Sequence, residues 1–161
     1  MFMKKILSIF SLVLALLLNS CIEQDLALWS GSLVEFQQAV IQAPVAGQTF
    51  PRVTVPNTQT AVNLQVNFVS AQRPNDEVIT FRVVPEGTTA VAGTDYTVTG
   101  TATIPANSSF ATVTVNVVNT GAIGGFVDLL LELEGNATIQ PSQNHKQVQI
   151  RITRPNPPAG G

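Results

Sequence analysis

The sequence predicts an all-β fold, an antiparallel sandwich of about seven to eight strands. Three observations carry that prediction. From Leu33 onward, apolar side chains recur at every second position in short separate runs, the period of a strand with one buried face. Between the runs lie clusters of Gly, Pro, Asn and Asp, the residues that turn a chain. No stretch after Cys21 sustains an apolar stripe at the helical period over three turns.

The elements follow in order. A first strand is expected near Leu33–Val40, although the stretch from Leu33 to Ala43 also fits a helical spacing. Pro51 to Pro56 adds a short edge piece, because proline is tolerated where no ladder bond is needed. Val62, Leu64, Val66 and Phe68 alternate with Asn63, Gln65 and Asn67; Ile79, Phe81 and Val83 alternate with Thr80 and Arg82. Tyr96 to Thr99 and Thr101 to Ile104 continue the theme, and Val113, Val115 and Val117 repeat it. In the next run Val127, Leu129, Leu131 and Leu133 share one face, which leaves Asp128, Glu132 and Glu134 on a solvated outer face. Val148, Ile150 and Ile152 form the last strand. Turns are expected at Arg73 to Asp76, Pro85 to Gly87, Ala92 to Asp95, Pro105 to Asn107 and Gly121 to Gly125. This rhythm belongs to an immunoglobulin-like sandwich, without the Cys…Trp…Cys signature of true immunoglobulin domains.

Composition excludes several classes. The chain has 161 residues, enough for one domain. Eight basic against ten acidic residues, a net charge of −2, cannot form a nucleic-acid footprint. One Cys builds neither a disulfide framework nor a zinc site. One His leaves a catalytic triad or multi-His metal centre without parts. No internal repeat is visible, which excludes a propeller or solenoid.

The N-terminal segment is an address. Lys4 and Lys5 precede an uncharged apolar run from Ile6 to Leu18, the length of a signal h-region and too short to span a bilayer. It ends Leu18-Asn19-Ser20-Cys21, which resembles a bacterial lipobox, with Asn19 the one unusual residue. The resemblance implies cleavage before Cys21 and lipidation of Cys21, anchoring the protein through buried acyl chains. The alternative is an ordinary secretory signal followed by an unpaired cysteine. Loss of Lys4 and Lys5 leaves six basic and ten acidic residues, a net of −4. Glu23 and Asp25 are similar to the acids that follow the lipid cysteine in some Bacteroidetes surface lipoproteins; a merely soluble tether fits them equally. The expected organisation is a signal peptide over 1–20, a lipidated tether over 21–32, a sandwich over 33–153 and a proline-rich flexible tail over 154–161.

Thr89-Ala90-Val91-Ala92-Gly93-Thr94-Asp95-Tyr96 resembles the signature of Calx-beta domains. Ile104-Pro105-Ala106-Asn107-Ser108-Ser109 before a Val-alternating strand, and the Leu131-Glu132-Leu133 run, extend the resemblance over roughly 60–153. The same order occurs in small Bacteroidetes-type lipoproteins of unknown function. On the residues themselves, Gly93 suits a positive φ or a close backbone approach, and Asp95 can bond its own turn amides. Tyr96 is expected to bury its ring and give its hydroxyl a backbone partner. Calcium is the ligand best known for the animal exchanger domains, held by acidic loops. Here the loop between Val118 and Phe126 carries no acid, and calcium demands six to eight oxygens. No metal or other cofactor is expected.

No catalytic constellation emerges. Glu132 and Glu134 have the spacing of a glycosidase pair but read as outer-face residues, and Asp76-Glu77 beside Arg73 reads as a polar hairpin tip. His145 lies in a polar turn before the last strand, where a surface role is expected. Gly121, Gly124 and Gly125 precede a strand, so they lack the helix N-terminus of a phosphate loop. For sugar stacking the aromatics are few: Trp29 falls in the tether, Tyr96 in the core, and only Phe50, Phe110 and Phe126 are candidates for exposure. The sequence therefore points to a non-enzymatic outer-membrane lipoprotein, a binding or scaffolding module on the surface or periplasmic side. Its expected partners are the membrane, through the lipid on Cys21, and an envelope protein or a glycan. The alternative is a surface glycan-binding accessory of polysaccharide uptake.

Overall fold

The structure is a computed structural model describing residues 31–155. Cys21, the signal segment, Trp29 and most of the tether and tail lie outside the described residues. Among the described residues no helix is long and apolar enough to cross a membrane.

The chain runs through β1 (Leu33–Phe36), α1 (Gln37–Ile41), β2 (Arg52–Pro56), β3 (Ala61–Val69) and β4 (Glu77–Val83). A 3₁₀ turn at Pro85–Gly87 leads to β5 (Tyr96–Thr97), β6 (Thr101–Ile104), β7 (Phe110–Val117), β8 (Phe126–Gly135), β9 (Gln140–Pro141) and β10 (Gln147–Thr153). They form two five-stranded sheets, ordered β5-β7-β3-β1-β9 and β2-β10-β8-β4-β6. The alternation read from the sequence is what fills the space between them. Val34, Phe36, Leu64, Val66 and Val113 from the first sheet meet Ile79, Leu129, Leu131, Leu133 and Ile150 from the second, all essentially inaccessible to water. The sandwich and its all-β class are as expected, with ten strands because β5 and β9 pair over only two residues each.

Two pairings depart from a purely antiparallel plan. β1 pairs parallel with β9, and β2 pairs parallel with β10. Both follow from one event: the N-terminal edge of the chain starts in one sheet and finishes in the other. The expected strand over Leu33–Val40 is therefore half strand and half helix. Val34 and Phe36 point inward, and strand period would carry Gln38 into the core next. Burying an amide there without partners costs a few kcal/mol, so the chain leaves the sheet as a helical turn after Phe36. A residue of that cost persists, since Gln38 Oε1 is enclosed without a hydrogen-bond partner. The expected strand at Tyr96–Thr99 is likewise shorter, ending at Thr97.

The two outer faces differ in chemistry. On the first sheet, β3 presents Asn63, Gln65 and Asn67, and β7 presents Thr112, Thr114 and Asn116. These link sideways, Thr114 to Asn63 Oδ1 at 2.9 Å and Gln65 to Asn67 Oδ1 at 2.9 Å. The second sheet carries ion pairs between its strands. Arg151 grips Asp128 with two bonds of 2.8 Å and lies 3.5 Å over the Phe126 ring.

Candidate functional site

The crossing between sheets builds a groove. After α1 the chain takes ten further residues, 42–51, before it enters β2. Gln42 N–H closes the helical turn onto Gln38 O, while Val45 N–H donates to Phe50 O and Gln48 N–H to Val45 O, making a compact loop. Phe50 then packs against Val84 and Leu130 on the outer face of the second sheet. That corrects the expectation that Phe50 is exposed: its ring is the anchor that pulls the loop across the sheet edge.

The facing wall is residues 142–147. Ser142 N–H donates to Val34 O, and Phe36 N–H donates to His145 O at 2.9 Å, so this wall hangs from β1. At its far end Leu133 N–H donates to Lys146 O, tying it to β8. Between the walls is a groove of about 780 Å³, within the range of small-molecule sites. Its polar lining comes from Gln42, Gln48, Thr49, Gln143, Asn144 and Gln147; Val40, Ile41 and Pro44 supply apolar surface. Ile41 is 64% exposed, unusual for a residue of its size. Two groups in the lining can carry positive charge, and each has an acid beside it. His145 Nδ1 lies 3.4 Å from Glu35 Oε2, and Lys146 Nζ lies 3.6 Å from Glu132 Oε2.

Sequence reasoning placed His145 in a polar turn, where it is, but missed the groove it helps to line. Half of the groove was open to detection. Residues 42–49 (Gln-Ala-Pro-Val-Ala-Gly-Gln-Thr) keep neither a strand nor a helical period, the signature of an insertion with its own purpose. Nothing in the sequence brings 142–147 beside it.

Glu132 and Glu134 part company. Glu134 is exposed as expected, but Glu132 is buried, a correction to its solvated reading. Arg82 reaches Glu132 Oε1 at 2.8 Å, and Gln147 and Lys146 close over Oε2. Burial works to raise the Glu132 pKa, but the bonds from Arg82 and Gln147 and the nearby cationic charges outweigh it and leave the value lowered. A carboxylate so committed is a cross-strand clamp rather than an acid or nucleophile. Its contribution is complete above the unfolded value near 4.5 and fades as pH falls through the lowered folded value. Glu132→Gln is expected to cost on the order of 1–2 kcal/mol at pH 7, one charged hydrogen-bond set discounted for the half-exposed Arg82. Urea unfolding checks this, and the gap between wild type and variant should begin to narrow below about pH 4.5 and close only beneath the lowered folded value.

The remaining residues singled out in the sequence take structural roles. Arg73 bridges Glu77 at 2.7 Å and Thr138 at 2.9 Å, and its hydrogen bond holds the Glu77 carboxyl below its ordinary pKa. Asp76 accepts from Ala106 N–H. Gly93 adopts φ +78° with open space around it, so it serves a turn rather than a close approach. Asp95 accepts from Val91 N–H at 2.9 Å, as expected, and is also paired with Arg154 at 2.7 Å. Arg154 is thereby pinned, together with its bonds to Gly124 and Gly125, where the sequence placed the start of a flexible tail. Tyr96 is buried, which raises its phenol pKa, and no hydrogen bond from its hydroxyl is found among the described residues. Phe110 and Phe126 are exposed, as anticipated. Among the described residues no group of three His, Cys, Asp or Glu side chains stands together to hold a metal ion.

Neither known family models nor curated protein sequences match this chain. Solved structures do. The apo form of the Calx CBD1 domain aligns with a TM-score of 0.59 at 12% identity, covering 79% of this chain and all of that one. The Calx CBD2 domain aligns at 0.54 and 11% identity, covering 74% of this chain and 86% of that one. A chain from Bacteroides ovatus ATCC 8483, described as a candidate carbohydrate-binding protein, aligns at 0.51 and 8% identity. That alignment covers 76% of this chain and 37% of the other. At such identities the likeness establishes a Calx-beta-like sandwich fold.

Proposed function

We propose that this chain is a lipid-anchored protein of the bacterial outer membrane, and that it acts as a non-catalytic binding or scaffolding module through the groove beside α1. The observation that carries the reading is the groove lining: side-chain amides, a hydroxyl and apolar residues, with His145 and Lys146 each beside an acid and no carboxylate in the lining itself. Such a surface can hold a ligand by hydrogen bonds and contact. The anchor rests on the lipobox-like Leu18-Asn19-Ser20-Cys21, and the sandwich supplies a rigid platform. A second reading, an accessory of polysaccharide uptake, is favoured by the amide lining and by the fold shared with the Bacteroides ovatus chain.

One two-armed experiment tests the proposal. Radiolabelled palmitate should enter the wild-type protein and not Cys21→Ser; equal labelling overturns the anchor. In the same cells, a photo-crosslinking residue at Ile41 should capture an envelope component, protein or glycan. The same residue at Val78, exposed on the second sheet, should capture none. Equal capture at both positions, or none at Ile41, removes the groove as the binding site.

A further inference from the structure

We infer that the groove takes an uncharged glycan chain. The inference rests on the binding reading above and names the ligand class for that site. The argument begins with charge. A groove for an acidic glycan, a phosphorylated ligand or an acidic peptide needs cations free to meet it. The two lining groups able to carry positive charge, His145 and Lys146, already stand beside Glu35 and Glu132. A groove for a basic segment, or for a sugar held through calcium, needs carboxylates, and the lining has none.

What remains is a dense set of amides. Gln42, Gln48, Gln143 and Asn144 each offer a donor and an acceptor on one flat group, the pattern that matches vicinal hydroxyls, which also donate and accept. Val40, Ile41 and Pro44 give the apolar surface on which the C–H face of a sugar ring can rest. Val40 and Ile41 are exposed, and a ligand that covers them removes that surface from water.

The same chemistry continues beyond the groove, which favours a polymer over a single sugar. Helix α1 lines the groove with its last residues, while its first, Gln37, accepts from Asn67 at 2.6 Å on the outer face of β3. That face runs on through Gln65, Asn63, Thr114 and Asn116, away from Glu35, the carboxylate beside Asn67 that stands 3.4 Å from His145. The charged residues of the opposite sheet offer no such path.

Affinity electrophoresis of the full chain in detergent tests the inference. The gels contain mannan, xylan, a β-1,3-glucan or starch, with polygalacturonate as the charged control. Retardation is expected in at least one neutral polymer and not in polygalacturonate. The double variant Gln143→Ala with Asn144→Ala should weaken it at least about tenfold, equivalent to roughly one charge-neutral hydrogen bond, with an unchanged urea midpoint. Ile41→Asp should do the same. Retardation by polygalacturonate alone, or equal retardation of wild type and both variants, overturns the inference. If no polymer retards the protein while Ile41 still crosslinks to an envelope protein, the glycan fails and the binding reading stands. If neither occurs, both fail.

Discussion

Gly135→Ala is expected to be among the most damaging single substitutions in the described domain, costing about 3–5 kcal/mol in urea unfolding. Gly135 ends β8 with φ +76°, a conformation that costs a side-chain-bearing residue about 1–2 kcal/mol by itself. The larger part is steric. An alanine Cβ there would drive into the carbonyl oxygen of Ile139, with the carbonyl carbon only 3.1 Å away. That carbonyl cannot retreat. It accepts from Asn136 N–H at 2.8 Å, and Asn136 Oδ1 in turn accepts from Thr138 and Ile139 N–H at 2.9 Å. Ile139 is itself fully buried, so moving its backbone opens the core. Gly93→Ala is the control, because Gly93 has φ +78° and open space around it. It should cost only the conformational part, about 1–2 kcal/mol. Equal effects at the two positions would show that backbone conformation alone sets the cost.

Gly135 also marks what the sequence could and could not disclose. The inward face of the long strands was legible because alternation alone sets it: Val62 to Phe68, Val113 to Val117 and Val148 to Ile152 face inward where period two puts them. Gly135-Asn136 reads as a turn, but the constraint on Gly135 comes from Ile139, four residues ahead and folded back, which composition does not disclose. Glu132 failed for a related reason. Period two placed it outward, which is correct, but outward is solvated only if neighbouring strands carry short side chains. Arg82, Lys146 and Gln147 cover it from β4, the turn before β10 and β10 itself. Phe50 was missed because its partners, Val84 and Leu130, form a small apolar cluster on the outer face. The groove demands the most: it joins an insertion after β1 to a turn before β10, about a hundred residues apart in sequence, and only the crossing between sheets brings them together.

Phe36→Ala is expected to match or exceed the Gly135 variant and to strike the groove as well as the core. Phe36 is wholly inaccessible to water, and truncating such a ring costs about 3–5 kcal/mol in lost burial and cavity formation. It is also the residue from which both walls hang. Its backbone carries the chain into α1 on one side, and its N–H holds His145 O at 2.9 Å on the other. Loosening the ring in its socket therefore loosens the spacing of the walls, and a preorganised groove binds by not having to order itself. Two readings separate these effects. Urea unfolding should show the stability loss, and neutral-polymer retardation, measured at a temperature where the variant is still folded, should fall with it. Ile41→Ala makes the contrast, since Ile41 is largely exposed and its loss should change stability by no more than about 0.5 kcal/mol. If Phe36→Ala loses stability yet retains full retardation, the groove is held from elsewhere, and the loop anchored by Phe50 becomes the element that sets its width.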